Sequence, residues 1–393
     1  MFTHLKRRLG VLAAVAVLGA LVPVMSSSPV SAAPATTAVT ALTLSDGASF
    51  KACPTSAAVP SAGFTDTTDT AVDCLKYYGI TSGTTDTTFD PTGSVTRWQM
   101  ALFITRTLDK ANTVLPTGAD QGFTDISGKA ADIQLAINQL RQMEITIGKT
   151  LTPLTYAPDQ YVTREEMALF LQRLLKAVPA GPGGNVELVS ANGTATEIKS
   201  VDTDHNFTDL NSVSLMEMQS AIINLWNLGV TEVATATLYE PSVNISRLNM
   251  AQMMARALDH TNARPAGLSI VANPYVSAST NLTISVTHRT ADFLPVAGSL
   301  VDTFRYLQTS TFGSSQFSSD GSCAQVVVTE VSSTLCYIDT AEKVTDAYGN
   351  ITPFISATIS GSVWEYYVWT AAAGTTYDND VHGTGTVTMT VRG

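Results

Sequence analysis

Three times along this chain a Phe-Thr-Asp tripeptide is followed by an 11-residue amphipathic block, an aromatic-x-Pro tripeptide and a Thr-Arg or Ser-Arg pair that opens a further apolar-periodic stretch. The anchors are Phe64-Thr65-Asp66, Phe123-Thr124-Asp125 and Phe207-Thr208-Asp209, and the blocks are 71–81, 136–146 and 221–231. Pro91, Pro158 and Pro241 each stand six residues before Arg97, Arg164 and Arg247, and each of these stands nine before Arg106, Arg173 and Arg256. A spacing kept through three copies means one supersecondary unit built three times, whose members bury their apolar faces against one another.

Local signals define the unit as a pair of helices. Thr163 with Glu166 and Thr96 with Gln99 have the spacing of a capping box, and Ser246 with Asn249 is a weaker version. Val95, Val162 and Ile245 precede the caps, and Met100, Met167 and Met250 stand at the fourth helical position, which predicts a hydrophobic staple in each copy. The 11-residue block supplies the first helix, with Ile222, Leu225 and Leu228 as its stripe in copy three. Gly79 and Gly229 fit a left-handed C-terminal position, where copy two has Glu144.

The recurring Arg97, Arg164 and Arg247 stand at the first turn of the second helix, where a cation faces the positive end of the helix dipole. Two readings follow from the residues. Free amides at that turn and a planar guanidinium together suit a carboxylate or phosphate, three times over. Alternatively, each arginine pairs with Asp66, Asp125 or Asp209 as a clip between hairpins.

The triplet resembles S-layer homology domains. The matching elements are Phe-Thr-Asp, Gly-Ile-Thr-Ser-Gly at 79–83, Phe89-Asp90-Pro91 and Thr163-Arg164-Glu165-Glu166, and the likeness covers about half the chain, with copy two the most family-like. The resemblance implies a pseudo-three-fold α-helical bundle that holds secondary cell-wall polysaccharide, often pyruvate-ketal-bearing, in grooves between repeats. It implies that Arg97, Arg164 and Arg247 contact the glycan's acidic groups and that Asp66, Asp125 and Asp209 are structural. Trp98, next to the first motif arginine, is a candidate sugar platform or a packing residue.

The chain of 393 residues is expected to divide further. Lys6, Arg7 and Arg8 followed by an apolar run and Val30-Ser31-Ala32 read as a signal peptide over 1–32. An extended segment over 33–62 leads to copies at 63–112, 122–178 and 206–263, with a Gly/Pro-rich linker at 179–205. From 266 to 393, β-branched and aromatic runs (282–286, 325–331, 355–359, 363–368, 386–391) alternate with turn residues such as Tyr348-Gly349-Asn350, which predicts an all-β sandwich loosely similar to immunoglobulin-like modules. The expected fold class is therefore an α + β multidomain chain. Cys53 with Cys74 and Cys323 with Cys336 form two local pairs for disulfides, which export permits.

Losing three leader cations takes the formal charge from −11 to −14, which excludes non-specific nucleic-acid binding. Nothing after the leader is long and apolar enough for a membrane span. No hydrolase, P-loop or zinc-protease motif appears and no cofactor is implied; Asp202, Asp204 and Asp209, or Asp378 and Asp380, could hold calcium with backbone oxygens, but they lack calcium-loop spacing, which favours solvated loop charges. The expectation is a non-enzymatic secreted protein of the bacterial cell wall or S-layer, anchored on an anionic wall polysaccharide and able to self-associate in a lattice. The alternative is a wall-anchored hydrolase or adhesin whose β domain is the active module.

Overall fold

The computed structural model describes residues 51–53, 59–179, 181–182, 207–213, 215–231, 237–272, 282–309, 323–328, 331–337, 343–351, 354–356, 363–371 and 389–392. The expected signal peptide and most of the expected linker, with Asp202, Asp204, Asp378 and Asp380, lie outside these residues.

The first half is built from α1 (Thr70–Tyr77), α2 (Arg97–Lys110), α3 (Ala131–Gln142), α4 (Arg164–Ala177), α5 (Met216–Asn227) and α6 (Arg247–Asp259), with a short hairpin of β1 (Thr150–Leu151) and β2 (Leu154–Thr155) between α3 and α4. Each copy contributes one helix from its block and one behind its Thr/Ser-Arg pair. The second-helix caps form in full in copy two and by one bond each in copies one and three, where the Thr96 hydroxyl is buried without a partner. Thr163 Oγ1 accepts from the Glu166 amide and Glu166 Oε2 accepts from the Thr163 amide. Gln99 Oε1 accepts from the Thr96 amide at 3.0 Å, and Ser246 Oγ accepts from the Asn249 amide at 3.1 Å. The staple residues Val95, Val162, Ile245, Met100, Met167 and Met250 are all fully buried in one core with Tyr78, Phe89, Tyr156 and Tyr239.

The first helices depart from the blocks. In copies two and three the helix begins five residues before the block, at Ala131 and Met216, and stops within it. The block's remaining residues form the helix exit, with Gly79 (φ 68°), Glu144 (φ 59°) and Gly229 (φ 71°) left-handed. The apolar periodicity marks what is buried, and the turn after the helix is as buried as the helix itself: Ile80, Ile145 and Val230 have essentially no exposure.

The second half is β, in β3 (Gly267–Ala272), β4 (Leu282–Arg289), β5 (Leu300–Thr309), β6 (Cys323–Val328), β7 (Val331–Tyr337), β8 (Lys343–Val344), β9 (Phe354–Ser356), β10 (Val363–Ala371) and β11 (Met389–Arg392). All pairs are antiparallel, in one sheet ordered β11-β10-β5-β7-β6, with β8 also on β5, and a second ordered β3-β4-β9. The expected strand at 325–331 is in fact two strands, β6 and β7. Cys323 and Cys336 are direct partners in that register, and their side chains are outside the described residues. Tyr348-Gly349-Asn350 is the expected turn: Asp346 Oδ1 accepts from the Tyr348 and Asn350 amides, and Gly349 has φ 68°.

Candidate functional site

The aromatic-x-Pro tripeptides explain both the motif aspartates and the motif arginines. The middle residue of each, Asp90, Ala157 or Glu240, is left-handed with φ 60°, 56° or 58°. For a residue with a Cβ that conformation costs about 1–2 kcal/mol and needs support. Asp66 supplies it in copy one by accepting from the Phe89 and Asp90 amides. Asp125 does the same for Tyr156 and Ala157, and Asp209 for Tyr239 and Glu240, with the bond to the left-handed residue 2.7 Å long in every copy. Those amides hold the Asp66 carboxyl below its ordinary value, against some desolvation.

The arginines reach from one copy to the next. Arg97 Nε donates to Tyr156 O at 2.8 Å, Arg164 Nε to Tyr239 O at 2.7 Å and Arg247 Nε to Phe89 O at 2.6 Å. Each guanidinium lies 4.8 Å from the centre of the aromatic side chain whose carbonyl it bonds. The order is copy one to two, two to three and three back to one, so the contacts close on themselves. The helix starts follow the same circuit. The amides of Arg97 and Trp98 donate to Gln160 O and Pro158 O, those of Arg164 and Glu165 to Val243 O and Pro241 O, and those of Arg247 and Leu248 to Gly93 O and Pro91 O.

Two expectations are corrected by this geometry. The first-turn amides are not open to an anion, because the neighbouring copy's carbonyls occupy them. A clip between copies exists, but the acceptor common to all three is a carbonyl backed by an aromatic face, and the motif aspartates are engaged with their own copy's backbone. Arg97 and Arg247 are buried and Arg164 is half-buried. Trp98 is half-buried, with its amide on Pro158.

One groove stands apart. It has a volume of about 490 Å³ and runs between α4 of copy two and the start of α5 of copy three, with Arg97 of copy one at its floor. Of the three motif arginines, Arg97 is the one in its lining; Arg164, Arg247 and Trp98 lie outside it. Its polar centre is Glu166, whose Oε1 takes Lys149 Nζ at 2.6 Å and Arg97 Nη1 at 3.2 Å. Arg97 and Glu166 side chains are 4 % and 9 % exposed, whereas Lys149 is 39 % exposed, so Lys149 is the group a ligand would meet. Glu165 also lines the groove, and desolvation, together with the Glu166 charge, raises its carboxyl above the usual range. At the far end Arg173 binds Glu217 in a fork, Nε to Oε1 at 2.9 Å and Nη2 to Oε2 at 2.7 Å. Ile147, Leu215 and Met216 form an apolar lip, with Met216 80 % exposed.

The equivalents in the other copies lack this set. Lys149 lies thirteen residues after the start of its block, where copy one has Thr84 and copy three Ala234. Glu166 is matched by Gln99 and Asn249. The Gln99 carbonyl turns back to its own helix cap, and the buried Nη2 of Arg247 has no hydrogen-bond partner. The equivalent seam between α6 and α1 is instead spanned by an N-terminal arm. Lys51 Nζ and the Ala52 amide bind the two oxygens of Asp259 on α6, Tyr78 Oη donates to Ala52 O at 2.6 Å, and Cys53 is disulfide-bonded to Cys74 on α1. Lys149, Glu165, Arg173, Glu217 and the lip were missed as site residues; comparing the copies position by position would have exposed Lys149 and Glu166 as the charges particular to copy two.

Among the described residues no group of three or more His, Cys, Asp and Glu could hold a metal ion, and no helix is long and apolar enough to cross a membrane. The family model described as the S-layer homology domain matches residues 68–101, which run from the cap of α1 through the first turn of α2. The match thus falls on copy one, not on the copy whose motif reads most completely. No curated protein matches the chain.

Proposed function

We propose, from the premise that this is an S-layer homology domain protein, that it is a non-enzymatic anchor of the bacterial cell surface, held on an acidic secondary cell-wall polysaccharide through the groove between α4 and α5. The six helices act as one three-hairpin bundle. The β half, read as an immunoglobulin-like sandwich, projects outward and supplies contacts within a surface lattice.

The observation that carries this reading is the sharing of one carboxylate, Glu166, by two cations, Lys149 and Arg97. Two positive charges against one negative leave a surplus at the half-exposed Lys149, which has ammonium protons beyond the one directed at Glu166. A carboxylate or phosphate on a glycan meets that surplus in a partly desolvated groove, where a charge-assisted bond contributes more than on open surface. Ile147, Leu215 and Met216 offer apolar surface to the hydrocarbon face of a sugar. Arg97 is too deeply buried to bond the glycan broadly. Its part is to fix the crossing of copies one and two and to keep Glu166 from neutralising Lys149.

The test is co-sedimentation of the mature chain with purified wall sacculi before and after acid extraction of the accessory polymer. Binding is expected to vanish on extraction, and Lys149→Ala is expected to weaken it about tenfold, as for loss of one charge-assisted bond. Binding that is indifferent to extraction and to Lys149→Ala refutes the reading.

A further inference from the structure

The charged groups of the groove balance in number but are not all bonded to one another. Arg173 and Glu217 are closed on each other by two bonds. Lys149 and Arg97 share Glu166 and leave one positive charge over. Glu165 lines the same groove, and among the described residues its carboxylate has no hydrogen-bond or ion-pair partner within bonding distance. Its backbone amide is fixed on Pro241 O, which holds the residue at the groove wall. The groove therefore carries a cation and a carboxylate that feel each other's charge but share no bond.

A ligand bearing only an acid would meet the cation and cover the carboxylate without compensation. An ionised carboxylate taken out of water needs a partner or a proton. A neutral hydroxyl satisfies one of its lone pairs and leaves the charge. A protonated amine answers it fully.

Resting on the proposed wall-glycan site, we infer that the groove selects a zwitterionic sugar, one that presents an acidic group to Lys149 and a free, protonated amine to Glu165. Selection lies in the pair: Lys149 supplies attraction for any acidic glycan, and Glu165 disfavours those whose amino group is acetylated.

Three simple probes separate the two contributions. Muramic acid carries a carboxylate and a free amine, N-acetylmuramic acid the carboxylate alone, and glucosamine the amine alone. Titrating each into the mature chain, with backbone amide NMR shifts around 147–149 and 165–166 as readout, is expected to give tightest binding for muramic acid. N-acetylmuramic acid should bind about tenfold more weakly, the worth of one charge-assisted bond. In Glu165→Gln the two acids should bind alike, and in Lys149→Ala both should lose affinity while glucosamine is unaffected. If the two acids bind equally to the unaltered chain while Lys149→Ala abolishes both, amine selection is refuted and the acidic-glycan reading stands. If neither acid shifts these amides, both readings fall. The probe series on the unaltered chain decides the matter even where a variant folds poorly.

Discussion

Replacing Cys53 with serine removes the covalent tie between the N-terminal arm and α1, and the loop it closes sets the size of the loss. Cys53 and Cys74 are 21 residues apart. In the chain-entropy account a loop of that length restricts the unfolded chain by roughly 11 cal/mol/K, or about 3 kcal/mol at 25 °C. Cys53 is the better residue to change, because it is half-buried while Cys74 is in the core, so the substitution leaves core packing intact. The tie also lies at the one seam that chain connectivity does not hold: copies one and two, and two and three, are consecutive, whereas α6 meets α1 at opposite ends of the repeat region. The arm crosses that seam, bound to Asp259 on one side and to Cys74 on the other. At roughly 2–4 °C per kcal/mol for a unit of this size, Cys53→Ser should lower the melting temperature by about 6–12 °C in a calorimetric scan without reductant. Asp259→Ala should act on the same seam, so the double variant should lose less than the sum of the singles. A Cys53→Ser protein melting within about 2 °C of the parent would refute the view that the arm closes the bundle, since even half of the entropic term gives a larger shift.

Arg247→Ala should destabilise by about 3 kcal/mol in urea unfolding, because it removes a charge-assisted bond and leaves the Phe89 carbonyl without that donor; Arg247→Lys should recover little, since an ammonium does not reproduce the guanidinium's combined bond to Phe89 O and contact with the Phe89 and Phe103 aromatic faces. Asp66 should make stability acid-sensitive. Its folded value is depressed, so its contribution is fully present above the ordinary carboxylate value of 3.8 and is lost as the pH falls through the lower folded value. Urea midpoints measured across that window should fall less steeply for Asp66→Asn than for the parent.

What the sequence made legible is what repeats. Caps, staples and helix exits are set by residues a few positions apart, and three copies of each turn a weak local signal into a firm one. The motif arginines were legible as positions but not as contacts, because their partners are backbone carbonyls 59, 75 and 158 residues away, and a carbonyl has no side-chain signature. The aspartates were legible as structural, whereas their reason, a left-handed residue ahead of each proline, is a backbone property that Asp90, Ala157 and Glu240 do not share as residue types. The groove was illegible for the opposite cause: it lies in what does not repeat. Lys149, Glu165 and Glu217 differ from their counterparts, and a search for common pattern passes over them.

The same logic applies at the change from helix to strand near residue 265, which composition reads as a plain domain boundary. Asn262, just past α6, is an exchange point for buried polar groups. Its Oδ1 takes Arg289 Nη2 at 2.9 Å and Asn350 Nδ2 at 2.8 Å, while its Nδ2 serves Asn112 Oδ1 and Tyr348 O. Arg289, at the end of β4, is 1 % exposed and bonds four further oxygens, none of them a carboxylate, and burial drives its guanidinium down to about 9. Beside it Phe293, held at φ 66°, fits edge-on against Tyr77 and tilted against Tyr78, with its carbonyl on Asn112 Nδ2. A buried cation without a carboxylate in bonding distance needs acceptors for its donors, and both terminal nitrogens of Arg289 find them, from both halves of the chain, while its buried Nε has none. Small rotations at this junction would break several of these bonds at once. In the anchoring role proposed above, such a joint would deliver load applied to the β half to the helical bundle through packed and hydrogen-bonded groups, not through a slack linker.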